Sequence, residues 1–580
     1  MRYLLLALAV SVGLSAAAEE KKVPAAEKEK AVAGDKEKKV PAAEEGKEVP
    51  SVDKVISERL KDLPEPSPVA IPKGLMMAVT TIDPAAQKHV LDGMANLHGG
   101  WDFEAYRHFC AALKLDPECL MAHWGVVVSL INPEPDLLDE REAALQRMVS
   151  LVNANVGTEL EQSYAYAISV FFEKGAAMAS DAFRKVSEKF PNDPQLKLLM
   201  AAFGRSGYDD NGKPNPDQEK AEALIDEMLT RDPDHPLYLY AYLTIRAEAP
   251  DLRGDLVRAR RLCQLAPGYA PFLHLLGHYE LRNGNAAQAA EAFARSAELY
   301  RGWMQANKLG HADCPGWVKA ECYRTAALAS KGDYANALAA AKAVAAIEVK
   351  PERSNSEGGQ LVMWEGRTLA ARLLMRRGLP GDAALALSTL PDPEKQKVYG
   401  KISHAVWFYQ GLACALEARK ALEEGKLEEA RKIIDALTVH GDQMSKTRQA
   451  ASAAGERSSW ARGYTALEIA ASELRGAMAM AGGKESMVSA FNWYRAALDR
   501  QTPPTMLMPP IALLPMEARL AEYYLARGEN QPAIDILVEA QGKHTHDVEI
   551  LTRLQKAMEK SGEKEQAKLI REQIERVKSE

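Results

Sequence analysis

Along residues 271–299, PFLHLLGHYELRNGNAAQAAEAFARSAEL, apolar side chains recur three and four positions apart on either side of Asn283-Gly284-Asn285. That spacing predicts two helices, and the central Gly supplies the left-handed C-cap that turns one into the next. The first helix is expected to bury Phe272, Leu273, Leu276 and Tyr279, the second Ala289, Ala292, Phe293 and Ala297. Small residues facing large ones let two antiparallel helices approach closely. Neither apolar face is broad enough to stand alone, so the pair must stack on similar pairs. The pattern returns as Gly332/Ala337, Gly425/Ala430, Gly528/Ala533 and Gly562/Ala567, with weaker units around Ala182, Ala221, Ala383 and Ala490. Roughly ten helical pairs follow residue 83, at a period near ~34 residues. Sustained runs of alternating β-branched residues do not occur, so the expected fold class is all-α.

Within residues 83–118, Gly93, Ala105, Phe109, Ala112 and Pro117 fall in one register of small, aromatic and helix-terminating positions. The stop at Leu115-Asp116-Pro117 returns as Arg231-Asp232-Pro233 and Leu265-Ala266-Pro267. In this register the chain resembles the tetratricopeptide repeat family. The resemblance implies a right-handed superhelix, an α-solenoid of stacked helix-turn-helix repeats over residues 83–580, with a possible subdivision near 350–360. It also implies that the first helix of each unit lines a concave groove. Residues 91–125, 235–285 and 503–534 are similar, in that order, to segments of a group of exported bacterial tetratricopeptide repeat proteins of uncharacterised function. This sequence departs from them at Tyr240 and Thr244, where the group tends to carry further His, and at Gly277, which replaces a Pro.

The N-terminus changes the picture of compartment. Arg2 followed by an apolar run over residues 3–14 and Ala16-Ala17-Ala18 reads as a signal peptide, residues 1–18, and implies export to a periplasm. The run is well short of the ~20 residues a spanning helix needs, so no membrane span is expected in the mature chain. Residues 19–55 are rich in Lys, Glu, Ala and Pro, contain KKVPAAE twice, and are expected to form a disordered linker. Residues 56–82 are transitional. A net charge of −7 over 580 residues argues against a nucleic-acid partner, which would call for a basic stripe. Export permits disulfides, and among the six Cys the sequence neighbours Cys110/Cys119 and Cys314/Cys322 are candidate pairs.

Candidate chemistry concentrates on one helix. His274, His278 and Arg282 are spaced i, i+4, i+8 and so share a face. In the repeat register that face looks into the groove, where His and Arg can hold a peptide. A His pair at this spacing can also chelate a metal, with His311 or Cys314 as the nearby third ligand; in a third reading one His hydrogen-bonds neighbouring backbone. His98 is a further groove candidate and falls beside a second cluster, Cys119, His123 and Trp124, read mainly as a packed helix contact. The Met-rich run from Met506 to Met516 is read as core packing in a helix-breaking interlude, or as an adaptable apolar surface. Catalytic signatures such as GxSxG, GxxxxGK[ST] and HExxH are absent, and no cofactor is implied. The reading is a non-enzymatic exported scaffold that binds a protein or peptide partner in its groove. The alternatives are a metal-binding or metal-dependent protein using the HxxxH pair and a structural element of the cell envelope.

Overall fold

Gly284 has φ +82°, outside the range that side-chain-bearing residues favour, and it joins the helices Ala270–Arg282 and Ala286–Asn307. The counterparts at 332, 425, 528 and 562 also have positive φ. The alanine five positions after each of these glycines is buried: Ala289, Ala337, Ala430, Ala533 and Ala567. The structure, a computed structural model, describes residues 49–131, 137–209, 211–402, 405–450, 454–502 and 504–580. Among these it is an all-α array in which consecutive helices pack as antiparallel pairs, with no strand beyond an isolated bridge between Tyr208 and Pro214. The small-against-large rule holds in detail. A Cβ on Gly277 would lie 2.8 Å from the Phe293 ring, and one on Gly93 would lie 2.8 Å from Phe109. The missing side chain is what lets each phenyl ring fill the space between its paired helices.

Packing is not confined to neighbouring pairs. The helix Ala286–Asn307 continues well past Leu299 and carries Tyr300 and Trp303 onto the first hairpin. There the Trp303 indole donates to Glu104 at 3.0 Å and Arg107 donates to Asn307 at 2.9 Å. Tyr269 similarly reaches Asn96 at 3.0 Å. Near the C-terminus, Arg376 makes a two-pronged pair with Asp547 at 2.8 and 2.7 Å, and Tyr334 donates to Glu549 at 3.0 Å. Helices far apart in sequence are thus fastened across the coil of the array.

The signal peptide and the linker as far as residue 48 lie outside the described residues. Val55, counted with the linker above, is fully buried and its carbonyl accepts from the Tyr106 hydroxyl at 3.2 Å, so packing begins before the transitional segment. That segment then runs along the first repeats, where Thr80 and Thr81 bond the carboxylates of Glu161 and Asp116 at 2.6 and 2.7 Å. Near 350–360 the chain is irregular, with a single turn at Pro351–Arg353 and a short helix at Glu357–Leu361. One apolar cluster nevertheless includes residues on both sides, from Ala270 to Leu513. Neither Cys110–Cys119 nor Cys314–Cys322 is bridged, and burial pushes the Cys110, Cys119 and Cys322 thiols up to about 12.

Candidate functional site

The face formed by His274, His278 and Arg282 makes one kind of contact three times: each residue donates to a main-chain carbonyl. His278 Nε2 donates to Ala247 at 2.8 Å and Arg282 donates to Ala249 at 2.8 Å. Both acceptors follow the helix Pro236–Arg246, whose last carbonyls have no partner within their own helix. His274 Nε2 donates at 2.9 Å to Met506, a residue 232 positions away. Both imidazoles are buried, and burial holds them neutral, His274 lowered to about 4 and His278 to about 3.

Met506 belongs to a strap, residues 504–516, which lacks regular secondary structure and in which no residue is exposed. Its prolines at 504, 509, 510 and 515 have no N–H, so the strap is rich in acceptors and poor in donors. The array supplies the donors. The Tyr323 hydroxyl lies against the carbonyls of Thr505 and Met508, the latter at 2.9 Å. Arg462 donates to Pro509 at 2.9 Å, Arg372 to Ile511 at 3.2 Å and Arg376 to Leu513 at 2.5 Å. In the other direction, Glu248 accepts from the Met506 amide at 2.8 Å. The Met side chains fill the apolar spaces between these contacts, as the core reading of this run expects.

Acidic residues hold the arginines in place. Glu365 accepts from Arg372 at 2.8 Å and from Arg462 at 2.7 Å; Glu365 and Arg372 are buried and Arg462 is half-buried. Burial alone would raise the Glu365 pKa, but Arg462 and Arg372 outweigh it and hold the carboxyl below its ordinary value. Asp547 does the same for Arg376, and also caps the helix Val548–Ser561 by accepting from Glu549 N at 3.0 Å. The result is a row of preorganised donors that recognises main chain rather than side chains.

The other candidate residues lie elsewhere. His98 is half-buried and faces Gln195 at 3.0 Å, and burial lowers it to about 4. His123 bonds the Pro117 carbonyl at 2.9 Å, and Trp124 beside it packs edge-on to Tyr164, which is the packed contact expected there. His311 stacks edge-on to Trp317 at 4.5 Å between centroids. Among the described residues no group of three His, Cys, Asp or Glu is placed to hold a metal, so His274, His278, His311 and Cys314 do not assemble into one. No described helix is long and apolar enough to cross a membrane. Sequence reasoning missed Tyr323, Arg372, Arg376 and Arg462. The available signal was a run of prolines without N–H groups opposite arginines placed on apolar helix faces.

No family model matches the chain, and no curated protein matches it. Solved structures of helical arrays do. The human IFIT1 dimer with m7Gppp-AAAA shares 13% identity, covering 80% of this chain and 90% of that one, with a TM-score of 0.34. The Cut9–Hcn1 hetero-tetramer of APC/C shares 14% identity, covering 82% and 76%, with a TM-score of 0.33. The P58(IPK) TPR domain shares 12% identity, covering 82% and 98%, with a TM-score of 0.19. At these values each is a broad likeness between helical arrays and says nothing of what this chain binds.

Proposed function

We propose that this chain is an exported, non-enzymatic scaffold that holds an extended polypeptide segment inside its helical array. The observation that supports the reading is the strap: carbonyls at 506, 508, 509, 511 and 513 are each met by a donor fixed on the array. A site that reads carbonyls accepts any proline-rich, donor-poor segment of similar bulk, as grooves for extended Pro-rich ligands do. The chain's own strap then acts as the resident occupant, and a partner segment exchanges with it. His274 belongs to this site, whereas His278 and Arg282 organise the loop beside it.

The test is occupancy in trans. Residues 504–513 are replaced by a Gly/Ser linker of equal length, helix content is checked by circular dichroism, and a fluorescent peptide of residues 501–516 is titrated in. The expected result is saturable one-to-one binding that the unmodified chain does not show. A variant that keeps its helices and does not bind the peptide overturns the groove reading. Export is tested separately by fractionation and N-terminal sequencing, with a mature chain starting at Glu19 expected in the periplasm.

A further inference from the structure

A second strap crosses the first hairpin. Residues 64–72, PEPSPVAIP, lack regular secondary structure and lie against the helices Pro84–His98 and Asp102–Leu115. Arg107 donates to the Pro64 carbonyl at 2.8 Å, and His108 Nε2 donates to the Ser67 carbonyl at 3.1 Å. The other nitrogen of His108 faces a second imidazole, Nδ1 to Nδ1 of His89 at 3.2 Å. His89 Nε2 in turn lies 3.0 Å from the Glu65 carboxylate, back on the strap. Two imidazoles thus link a strap carboxylate to a strap carbonyl without a break. His108 is fully buried, His89 is half-buried and Glu65 is exposed.

Counting protons fixes the charge on this chain. It contains three hydrogen bonds and ends in an acceptor on both sides, so each bond needs a proton from an imidazole. Two neutral imidazoles carry only two. The Ser67 carbonyl requires the His108 proton on Nε2, which leaves His108 Nδ1 bare. His89 Nδ1 must then be the donor between the rings. With its one proton spent there, a neutral His89 would turn the Nε2 lone pair toward the Glu65 carboxylate. A third proton removes that clash by making His89 an imidazolium. It resides on the imidazole, because a hydrated carboxyl is the stronger acid by about two pH units.

We propose that Glu65, His89 and His108 form a proton-operated latch, which holds the strap down while His89 is charged and loosens it when that proton is lost. The other charges acting on the pair are Lys88 and Asp92 from the helix of His89 and Arg107 from the helix of His108. Burial, and after it the His89 charge, lower His108 to about 3. A second proton, which would set two N–H groups against each other, therefore stays out until the medium is strongly acidic. The latched strap holds one proton more than the strap over a neutral His89. Closure is accordingly favoured as pH falls and weakened as pH rises through the His89 titration. Loosening would uncover Ile71 and Leu75, which are buried in one apolar cluster with Tyr240, Tyr269 and Phe272. The latch does not depend on the groove reading of residues 504–516.

The experiment is hydrogen exchange of the purified full chain at pH 5.5 and pH 8.5, with a chelator present so that no metal replaces the proton between the rings. Rates are divided by the intrinsic amide rate at each pH. Residues 65–75 should open at least about tenfold more often at the higher pH, the loss expected for one hydrogen bond to a charged group, while residues 504–516 change little. His89→Gln keeps a polar side chain without the titration and should abolish the difference. Glu65→Gln, at an exposed position that does not threaten folding, should also abolish it, because the amide can donate to a bare Nε2. Nitrogen NMR of histidine-labelled protein at pH 5.5 should show His89 protonated on both nitrogens and His108 on Nε2 alone. Equal protection at the two pH values, a pH difference that survives either substitution, or a neutral His89 at pH 5.5 would each overturn the proposal.

Discussion

Replacing Glu365 with Gln tests whether the donor row is held together by charge. The Glu365 carboxylate lies between Arg372 and Arg462, both of which reach strap carbonyls. Glutamine keeps the shape and removes the negative charge, leaving the buried Arg372 and the half-buried Arg462 guanidinium groups facing an amide. Breaking a buried pair in this way costs about 3–5 kcal/mol, because the remaining charge is uncompensated. Against a folding free energy of about 5–15 kcal/mol, that is a large fraction of the total. The triple change Glu365→Met/Arg372→Met/Arg462→Met deletes more contacts but strands no charge. It orphans the carbonyls of Pro509 and Ile511, at about 1–3 kcal/mol each, and recovers roughly 1–4 kcal/mol by removing the desolvated ions. The triple variant should therefore lose less stability than the single one. Urea unfolding followed by circular dichroism measures both, and hydrogen exchange over residues 504–516 should quicken more in the triple variant. A loss below about 1 kcal/mol for Glu365→Gln, as for a hydrated surface pair, or a triple variant clearly less stable than the single, would refute this account.

Phe293→Ala should cost about 3–5 kcal/mol by opening a cavity against Gly277 and Tyr323, read as a lowered urea midpoint. Gly277→Ala should cost about 1–3 kcal/mol, since its Cβ must push into the same ring, and combined with Phe293→Leu it should recover part of that loss. His278 is depressed to about 3 by burial and then by Arg282, so the unfolded chain takes up a proton below pH 6.5 that the folded chain refuses. Its contribution is complete above pH 6.5 and is lost as pH falls toward the folded value; His278→Gln should flatten the stability–pH slope between pH 6 and 4 by at most ~1.4 kcal/mol per pH unit. Removing residues 1–48 should leave the melting temperature unchanged, whereas removing residues 1–60 strips Val55, Ile56 and Leu60 from the first hairpin and should lower it by several degrees.

The repeating hairpin was legible because it is written locally. Gly284 and Ala289, or Gly93 and Phe109, are separated by less than one repeat, and period and residue size suffice to place them. The shared face of His274, His278 and Arg282 was legible for the same reason. What meets that face was not. The carbonyls arrive from Ala247, Ala249 and Met506, and the last of these comes from a strap 232 residues away. A groove expected to await a partner is lined instead by residues already committed to the chain itself. Periodicity reports which side of a helix is apolar or polar, but it carries no information on which distant segment is laid against it. The extension of Ala286–Asn307 past its expected end was hidden similarly, since Tyr300 and Trp303 continue the apolar face only because the first hairpin comes back to cover them.

The buried pair between Arg376 and Asp547 has a consequence for how the chain is made. The partners are 171 residues apart. At about 5–20 residues per second, the ribosome takes roughly 10–30 s to deliver the aspartate after the arginine. Over that interval the helices around residues 270–376 can form their local hairpins but lack both the strap and its anchor. Their donors face water and their apolar lining is open. Closure is thus a late, high-contact-order event, slow relative to hairpin formation. Chains that stop before residue 547 should accumulate as half-lined coils open to proteases and chaperones. A C-terminal truncation that removes only the last two helical pairs would then act far upstream of the cut, by leaving the middle of the array unsealed.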